Sequence, residues 1–528
     1  MKNRALQSLR RRWSALDPRQ AERAQMAALR HFLDHVVLPF SPHYRDQAET
    51  IDTDKLASRD DLQRIPLSSK ADLLGGSEVS RRFVVAPEPS VLARRPGVLL
   101  HGLVRGRGAA REALAHEFRP LLMTSTTGRS SEPVPFLYTG RDLDNLALAG
   151  SRLMEICESR QEFRHLNVFP FAPHLAFWQM HYAGLGFHTF CLSTGGGKTM
   201  GTKGNVRLIE RVKPDALIGM PTFVYHLLQA AARSDIRLPN LCRIVLGGEK
   251  VPAGLRSKLR ALSADLGAHD VSVIATYGFT EAKTAWPECP VPAGSVPTGF
   301  HLYPDFGIVE IIDPDSGEPV PEGSPGEIVY TPLDARGTVV LRYRTGDLSE
   351  GGLTHAPCPR CGRIVPRLLG RISRVSNQKS MQLSKLKGTL VDLDNLEHIL
   401  DDAPGLGTWQ IELRKKDDDP LEVDEIVVRA EALDPGDADA LKRSIRDRFL
   451  TEAEVTPNAI TFHSAAEMRR IQGVGSELKE ARLIDRRPSG APAHVSHEPP
   501  PGGAPGSEKR GLALFDADAD AATTTTEK

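Results

Sequence analysis

At 528 residues the chain is too long for one compact core, so two or more domains with ample apolar surface to bury are expected. Lysine plus arginine and aspartate plus glutamate both total 67, a balance that gives no global field to draw nucleic acid or an anionic membrane as a ligand. Six cysteines are too few for a disulfide scaffold in a chain of this length, and no run approaches the roughly 18 uninterrupted apolar residues of a membrane-spanning helix, so a cytoplasmic protein is expected.

The first 75 or so residues read as amphipathic helix, with Leu6, Leu9, Trp13 and then Ala28, Leu29, Phe32, Leu33 at helical spacing. Arg10, Arg11 and Arg12 have no apolar stretch behind them, so they read as the solvated face of a helix rather than a secretory signal. The segment 62–73, with Pro66 inside it, reads as extended. From about 120 to 275, strand-like runs at 166–171, 216–220, 243–246 and 271–276 alternate with helical stretches, the rhythm of an α/β domain. From 298 to 346 shorter strands follow, such as 308–312 before the turn Asp313-Pro314-Asp315-Ser316-Gly317, which predicts a β subdomain. A smaller α+β unit comes next: helix 393–400, strand 408–413, strand 425–430, helix 438–449 and strand 459–462. From Pro488 onward the chain is rich in Pro, Gly, Ala and Thr and reads as a disordered tail, 488–528.

Several segments carry possible chemistry. Thr124, Ser125, Thr126, Thr127, Ser130 and Ser131 crowd six hydroxyls around Gly128, and such a loop can wrap phosphate oxygens, although Ser/Thr-rich loops are mostly ordinary surface loops and this one alone is a weak signal. Thr194-Gly195-Gly196-Gly197-Lys198-Thr199 looks like a Walker loop, but Leu192 stands where that motif needs a glycine, so it reads as a decoy turn. Gly247-Gly248-Glu249 follows one strand-like run and Tyr277-Gly278-Phe279-Thr280-Glu281 another, while Arg342-Tyr343-Arg344-Thr345-Gly346-Asp347 ends the β region. Cys358 and Cys361 have the Cys-x-x-Cys spacing by which one turn offers two thiolates to a tetrahedral zinc. A reduced dithiol or a redox pair are the alternatives, and no thioredoxin-like context surrounds them.

In that order and at those separations, the hydroxyl loop and the three strand-end motifs resemble the adenylate-forming (acyl-CoA synthetase, AMP-binding) superfamily. Residues 38–45 and 65–73, Lys213-Pro214-Asp215, Pro221-Thr222, His301-Leu302-Tyr303-Pro304-Asp305 and residues 479–487 are similar to its phenylacetate-CoA ligase branch. The resemblance covers about residues 20–487. It implies an α/β N-terminal domain over 1–371 with a β subdomain, then a small mobile α+β domain over 372–487. It implies an AMP-forming ligase that activates a small carboxylic acid, aryl or similar, with ATP and Mg²⁺ and passes the acyl group to coenzyme A.

The roles follow from the same resemblance. Ser125, Thr126, Thr127 and Gly128 would hold phosphates, Gly248, Glu249, Tyr277 and Gly278 would line the adenine site, and Asp347 would take the ribose hydroxyls, with Arg371 nearby. Glu281, next to Thr280, would bind Mg²⁺, a hard cation that prefers carboxylate oxygen. Lys479 would bring a mobile positive charge to the reacting carboxylate and α-phosphate. Cys289 and His301, similar in position to zinc ligands of some members, would complete a structural zinc site with Cys358 and Cys361. Phe171, His174, Phe177, Trp178 and Tyr182 could wall an aromatic acyl pocket or form ordinary core.

The chain departs from the family at several points. Ser125 stands where a glycine precedes the paired threonines, the loop after Gly128 is longer by Arg129 to Glu132, Ser373 stands for an aspartate after Gly370-Arg371, and Leu478 replaces a glycine before the lysine. Lys385-Leu386-Lys387-Gly388 could be the displaced remainder of the hinge motif. Two other readings therefore stand beside the CoA ligase: delivery of the acyl group to a carrier-protein thiol, a protein side chain or an amine, and a nucleotide-binding homologue with impaired catalysis.

Overall fold

The apolar runs between 120 and 275 become one sheet in the computed structural model, which describes residues 3–126, 133–374, 384–386, 389–391, 393–416, 424–453, 455–474 and 481–487. Its six strands lie in the order Cys191–Ser193, His165–Asn167, Ala216–Gly219, Arg243–Leu246, Ser272–Phe279 and Thr284–Pro287, all parallel except the last. Helices Leu175–Phe187, Gly196–Val212, Pro221–Arg233 and Ala253–Asp265 make the crossovers that parallel pairing requires. Because both faces of the sheet are covered, its strands read as nearly continuous apolar runs: Leu166, Leu217, Ile218, Ile244, Val245 and Ile274 all lie in one core.

The β subdomain is an antiparallel sheet of Gly307–Ile312, Gly326–Pro332, Tyr343–Ser349 and Ile372–Arg374, with a small three-stranded sheet, Leu353–Thr354, Arg367–Leu368 and Phe300–His301, beside it. A hairpin, Pro120–Ser125 with Pro135–Thr139, precedes the large sheet. The later α+β unit follows the expected elements closely: Leu393–Asp401, Leu406–Lys415, Asp424–Ala432, Ala438–Ala453 and Ala459–Phe462. It has a core of its own, in which Leu396, Ile399, Trp409, Ile411, Val428, Ile445 and Phe449 are buried. Among the described residues no helix is long and apolar enough to cross a membrane.

Two N-terminal expectations are corrected. Arg10 is not on a solvated face: it pairs with Asp334 at 2.8 Å and donates to Asn145 at 2.6 Å, tying the helix Arg4–Arg11 to the interior. The segment 62–73 is only partly extended, because Ser69 caps a short helix, Lys70–Leu73, with the Asp72 carboxylate accepting from the Ser69 backbone at 2.7 Å and hydroxyl at 2.9 Å. The tail 488–528 lies outside the described residues.

Candidate active site

Loops that leave the carboxyl ends of parallel strands form the natural crevice of an open α/β sheet, and the strand-end motifs gather there. Gly247, Gly248 and Glu249 follow Arg243–Leu246 directly. The turn is tight: a Cβ at Gly247 would stand 2.4 Å from the Thr276 hydroxyl, which itself donates to the Leu246 carbonyl at 3.0 Å. Only glycine lets these two strand ends approach so closely. Glu249 is held from the neighbouring strand end, its carboxylate accepting from the Thr222 backbone at 3.2 Å and hydroxyl at 3.0 Å.

The next strand, Ser272–Phe279, reaches across to the β subdomain. The Tyr277 hydroxyl donates to Asp347 at 2.9 Å, and the other oxygen of Asp347 pairs with Arg374 at 2.8 Å. Burial, then the Asp347 charge, pushes the Tyr277 pKa well above its ordinary value, so the phenol stays a donor. Asp347 is buried beside Gly346, whose φ of 71° turns the strand. Thr280, Glu281 and Ala282 form a single 3-10 turn at the end of the same strand, and the Tyr343 hydroxyl donates to Glu281 at 2.7 Å. Burial raises the Glu281 carboxyl, and the Tyr343 hydrogen bond opposes it.

The first strand of the hairpin ends at Ser125, and Thr126 follows it. The Ser125 backbone donates to the Pro173 carbonyl at 2.6 Å, and its own carbonyl is 3.0 Å from His174 Nδ1. The buried Thr126 hydroxyl accepts from the Val134 backbone at 3.0 Å. Thr127, Gly128 and the lengthened loop lie outside the described residues, as do Lys479, Leu478 and Gly388. Arg371 is turned to Glu350, 2.9 Å away on an exposed face. Arg374, which no sequence motif singled out, is the arginine that meets Asp347: the antiparallel pairing of Ile372–Arg374 with Tyr343–Ser349 sets the two residues directly opposite each other.

The aromatic residues do cluster. Phe171 meets Phe177 with ring centroids 5.1 Å apart, Phe177 meets Trp178 at 5.3 Å, and Phe171 remains largely exposed. His174 Nε2 and Trp178 Nε1 are buried with no hydrogen-bond partner among the described residues, an arrangement that usually costs about 1–3 kcal/mol for each group.

A second cluster lies in the β subdomain. Cys289, His301 and the Cys358–Cys361 turn come from three separated points of the chain, yet the side-chain donor atoms of the four residues all lie within 4.8 Å of one another. Cys289 Sγ is 3.9 Å from Cys358 Sγ, and Cys361 Sγ is 3.3 Å from His301 Nε2. The turn that presents Cys358 and Cys361 is closed by the Gly362 amide donating to the Cys358 carbonyl at 2.9 Å. Burial alone would lower the His301 pKa, but the neighbouring Cys358 and Cys361 sulfurs raise it overall. The Cys289 sulfur holds the Cys361 thiol well below its usual range, and the same contact pushes Cys289 up.

With this geometry in view, the fold is that of the adenylate-forming ligases, a large α/β domain followed by a smaller one. The chain is 18% identical to a 2-hydroxyisobutyryl-CoA ligase solved in the postadenylation state with R3-HIB-AMP, with a TM-score of 0.69 over 90% of this chain and 92% of that one. Residues 141–332 match the family model for AMP-binding enzymes. Its similar proteins include phenylacetate-coenzyme A ligases: one from Thermus thermophilus is 27% identical over 47% of this chain and 54% of its own length. Another, from Aromatoleum evansii, is 26% identical over 70% of both chains. The chain thus spans about half the length of the Thermus relative that it matches. The superfamily and branch read from the motifs agree with these findings.

Proposed function

We propose that the chain is an ATP-dependent, AMP-forming carboxylate ligase that makes an acyl-adenylate and transfers the acyl group to coenzyme A. The observation that carries this reading is the pair of cross-links between the large sheet and the β subdomain, Tyr277 to Asp347 and Tyr343 to Glu281, beside the glycine turn 247–248. A nucleoside needs such a crevice: an acidic group for two vicinal hydroxyls, a flat glycine-lined wall for the base and a carboxylate for a hard cation near the phosphates. Asp347 would accept the ribose hydroxyls while still held by Tyr277 and Arg374, since a carboxylate offers about four acceptor sites. Glu281 would hold Mg²⁺, while Thr126, Thr127 and Gly128 would take the phosphates. Mg²⁺ would neutralise charge on the leaving pyrophosphate when bound.

Residues 372–487 would act as a separate small domain, and Lys479 on it would meet the charge that gathers as the carboxylate attacks. His174 and Trp178, with buried ring nitrogens left unpaired, would lie at the acyl end of the crevice, with Phe171 and Phe177 as apolar wall. This supports a small aryl or similar acid as substrate. Cys289, His301, Cys358 and Cys361 would hold a structural zinc. Tetrahedral Zn–S bonds put sulfurs about 3.8 Å apart, close to the 3.9 Å between Cys289 and Cys358. Four protein ligands leave no open position, so that ion would take no part in acyl transfer. The function is tested by incubating the chain with ATP, Mg²⁺, coenzyme A and a panel of aryl and short acids. Formation of acyl-CoA with AMP as the nucleotide product is expected, and an ADP product would overturn the reading.

A further inference from the structure

The neutral total charge of the chain hides one strongly biased stretch. Between residues 91 and 111 stand five arginines, Arg94, Arg95, Arg105, Arg107 and Arg111, and no acidic residue. This stretch contains the helix Pro96–Arg105, which has no buried residue at all. At 100° per residue, Leu99, Leu100, Leu103 and Val104 fall within one arc of the helix. In an ordinary surface helix that arc would face the core. Here it faces solvent, with these four side chains exposed by 54%, 62%, 85% and 73%. The opposite face is the one that packs: a Cβ at Gly102 would stand 3.9 Å from the Ala110 side chain on the following helix, Arg107–Phe118. The helix is therefore anchored with its apolar side outward.

The arginines border that side. Arg95 is engaged, donating to the His35 carbonyl at 3.1 Å and lying over the Phe40 ring. Arg94, Arg105, Arg107 and Arg111 are exposed and make no side-chain hydrogen bond or ion pair among the described residues. Leucines on one face, with free guanidinium groups at both ends of a short helix, fit an element that lies in the plane of a bilayer interface. There the apolar side chains reach the acyl boundary and each cation gains from anionic headgroups. A second copy of the chain fits less well. Four side chains make a patch of only a few hundred Å², against the roughly 800 Å² per partner of a standard interface, and a two-fold contact would set arginine against arginine.

We propose that the helix Pro96–Arg105 and its flanking arginines form a docking surface for an anionic phospholipid bilayer, holding the protein at a membrane face. The proposal is independent of the ligase reading, and its test needs no activity. The full chain is sedimented with vesicles of phosphatidylcholine alone and of phosphatidylcholine with phosphatidylglycerol in equal parts. Binding to the mixed vesicles only is expected, weakening as salt is raised. The double variant Leu100→Ser, Leu103→Ser should bind at least about tenfold more weakly, since two exposed leucines lose their burial in lipid. Arg105→Ser with Arg107→Ser should lose binding at lower salt than the parent. Thermal unfolding matching the parent's would exclude a folding defect, because all four positions are exposed. Equal partitioning of parent and leucine variant would overturn the proposal. So would a parent that ignores vesicles but elutes as a dimer that the leucine variant converts to monomer, or one that is held only by an acidic protein.

Discussion

Asp347 has both carboxylate oxygens occupied, one by the Tyr277 hydroxyl at 2.9 Å and the other by Arg374 at 2.8 Å. A nucleotide bound as proposed would meet a carboxylate already oriented by two donors, so little would have to be ordered on binding. Asp347→Ala should raise the KM for ATP by roughly 10- to 100-fold, the usual loss for hydrogen bonds to a charged group, as measured by initial rates over an ATP titration. An unchanged KM would remove Asp347 from the nucleotide site. Asp347, Tyr277 and Glu281 stood out as candidates in the sequence because each lies in a recognisable motif in or just after a strand. Arg374 was not legible, because an arginine two residues into a strand has no distinguishing pattern until its cross-sheet partner is known. Arg10 misled for the related reason that three consecutive arginines look alike in sequence, whereas only one of them turns inward to Asp334.

Between elements, the decisive contacts join the large sheet's helices to the α+β unit. Helix Ala253–Asp265 starts against the end of helix Leu393–Asp401 so closely that a Cβ at Gly254 would stand 2.0 Å from the Asp401 carbonyl oxygen. Lys258, one turn on, donates to the Gly407 carbonyl at 2.9 Å, and Gln229 donates to Glu431 at 2.8 Å. Gly254→Ala should therefore displace the small unit and slow acyl-adenylate formation by up to about 10²-fold. Pyrophosphate release at saturating substrates reads this directly, and full activity in the variant would show that the docked arrangement is not the one that adenylates. Close helix-end contacts of this kind cannot be read from sequence, where Gly254 is simply the second residue of a helix.

His226, in the same region, is fully buried, with the Gln229 and Gln472 side chains beside its ring but in no well-formed hydrogen bond to it. Burial, with Arg469 and Arg233 nearby, lowers its pKa from 6.5 to about 4. Above pH 6.5 the ring is neutral whether buried or exposed. As pH falls through that value the exposed ring gains a proton that the buried one refuses, so acid favours unfolding, by about 2 kcal/mol at pH 5. Thermal unfolding of the parent should drop between pH 7 and pH 5 more than that of His226→Leu; equal drops would exclude His226 as the acid-sensitive group. In the β subdomain, the Cys and His cluster joins three short segments: the stretch after Thr284–Pro287, the strand Phe300–His301 and the Cys358–Cys361 turn. Elemental analysis should find about one zinc per chain, lost in Cys358→Ser and in Cys361→Ser with a lowered melting temperature. A metal-free parent of full stability would rule the site out. The Cys-x-x-Cys half of that cluster was plain in the sequence, while Cys289 and His301 entered only through the family resemblance.

At the scale of the whole molecule, the separate cores explain why so much of the architecture was readable. Residues 153–274 bury their apolar side chains mainly among themselves around the parallel sheet, and residues 396–460 do the same in the α+β unit, so local periodicity and tertiary packing agree in both. The N-terminal region is different: Leu6, Leu9, Phe32 and Tyr44 share a core with Val134, Phe136, Ile308 and Tyr343, far along the chain. Elements there are set by distant partners, and that is where the segment 62–73 and Arg10 departed from expectation. The two cores that flank the crevice belong to the large sheet and to the β subdomain, so the proposed chemistry depends on both being held in register by Tyr277 and Tyr343. The most direct test of the account is pyrophosphate release from ATP by the purified chain. It should require both Mg²⁺ and a carboxylic acid, proceed without coenzyme A until the adenylate saturates the site, and fall by on the order of 10² to 10³ in Lys479→Ala. Pyrophosphate release that ignores the acid, or that Lys479→Ala leaves intact, would contradict it.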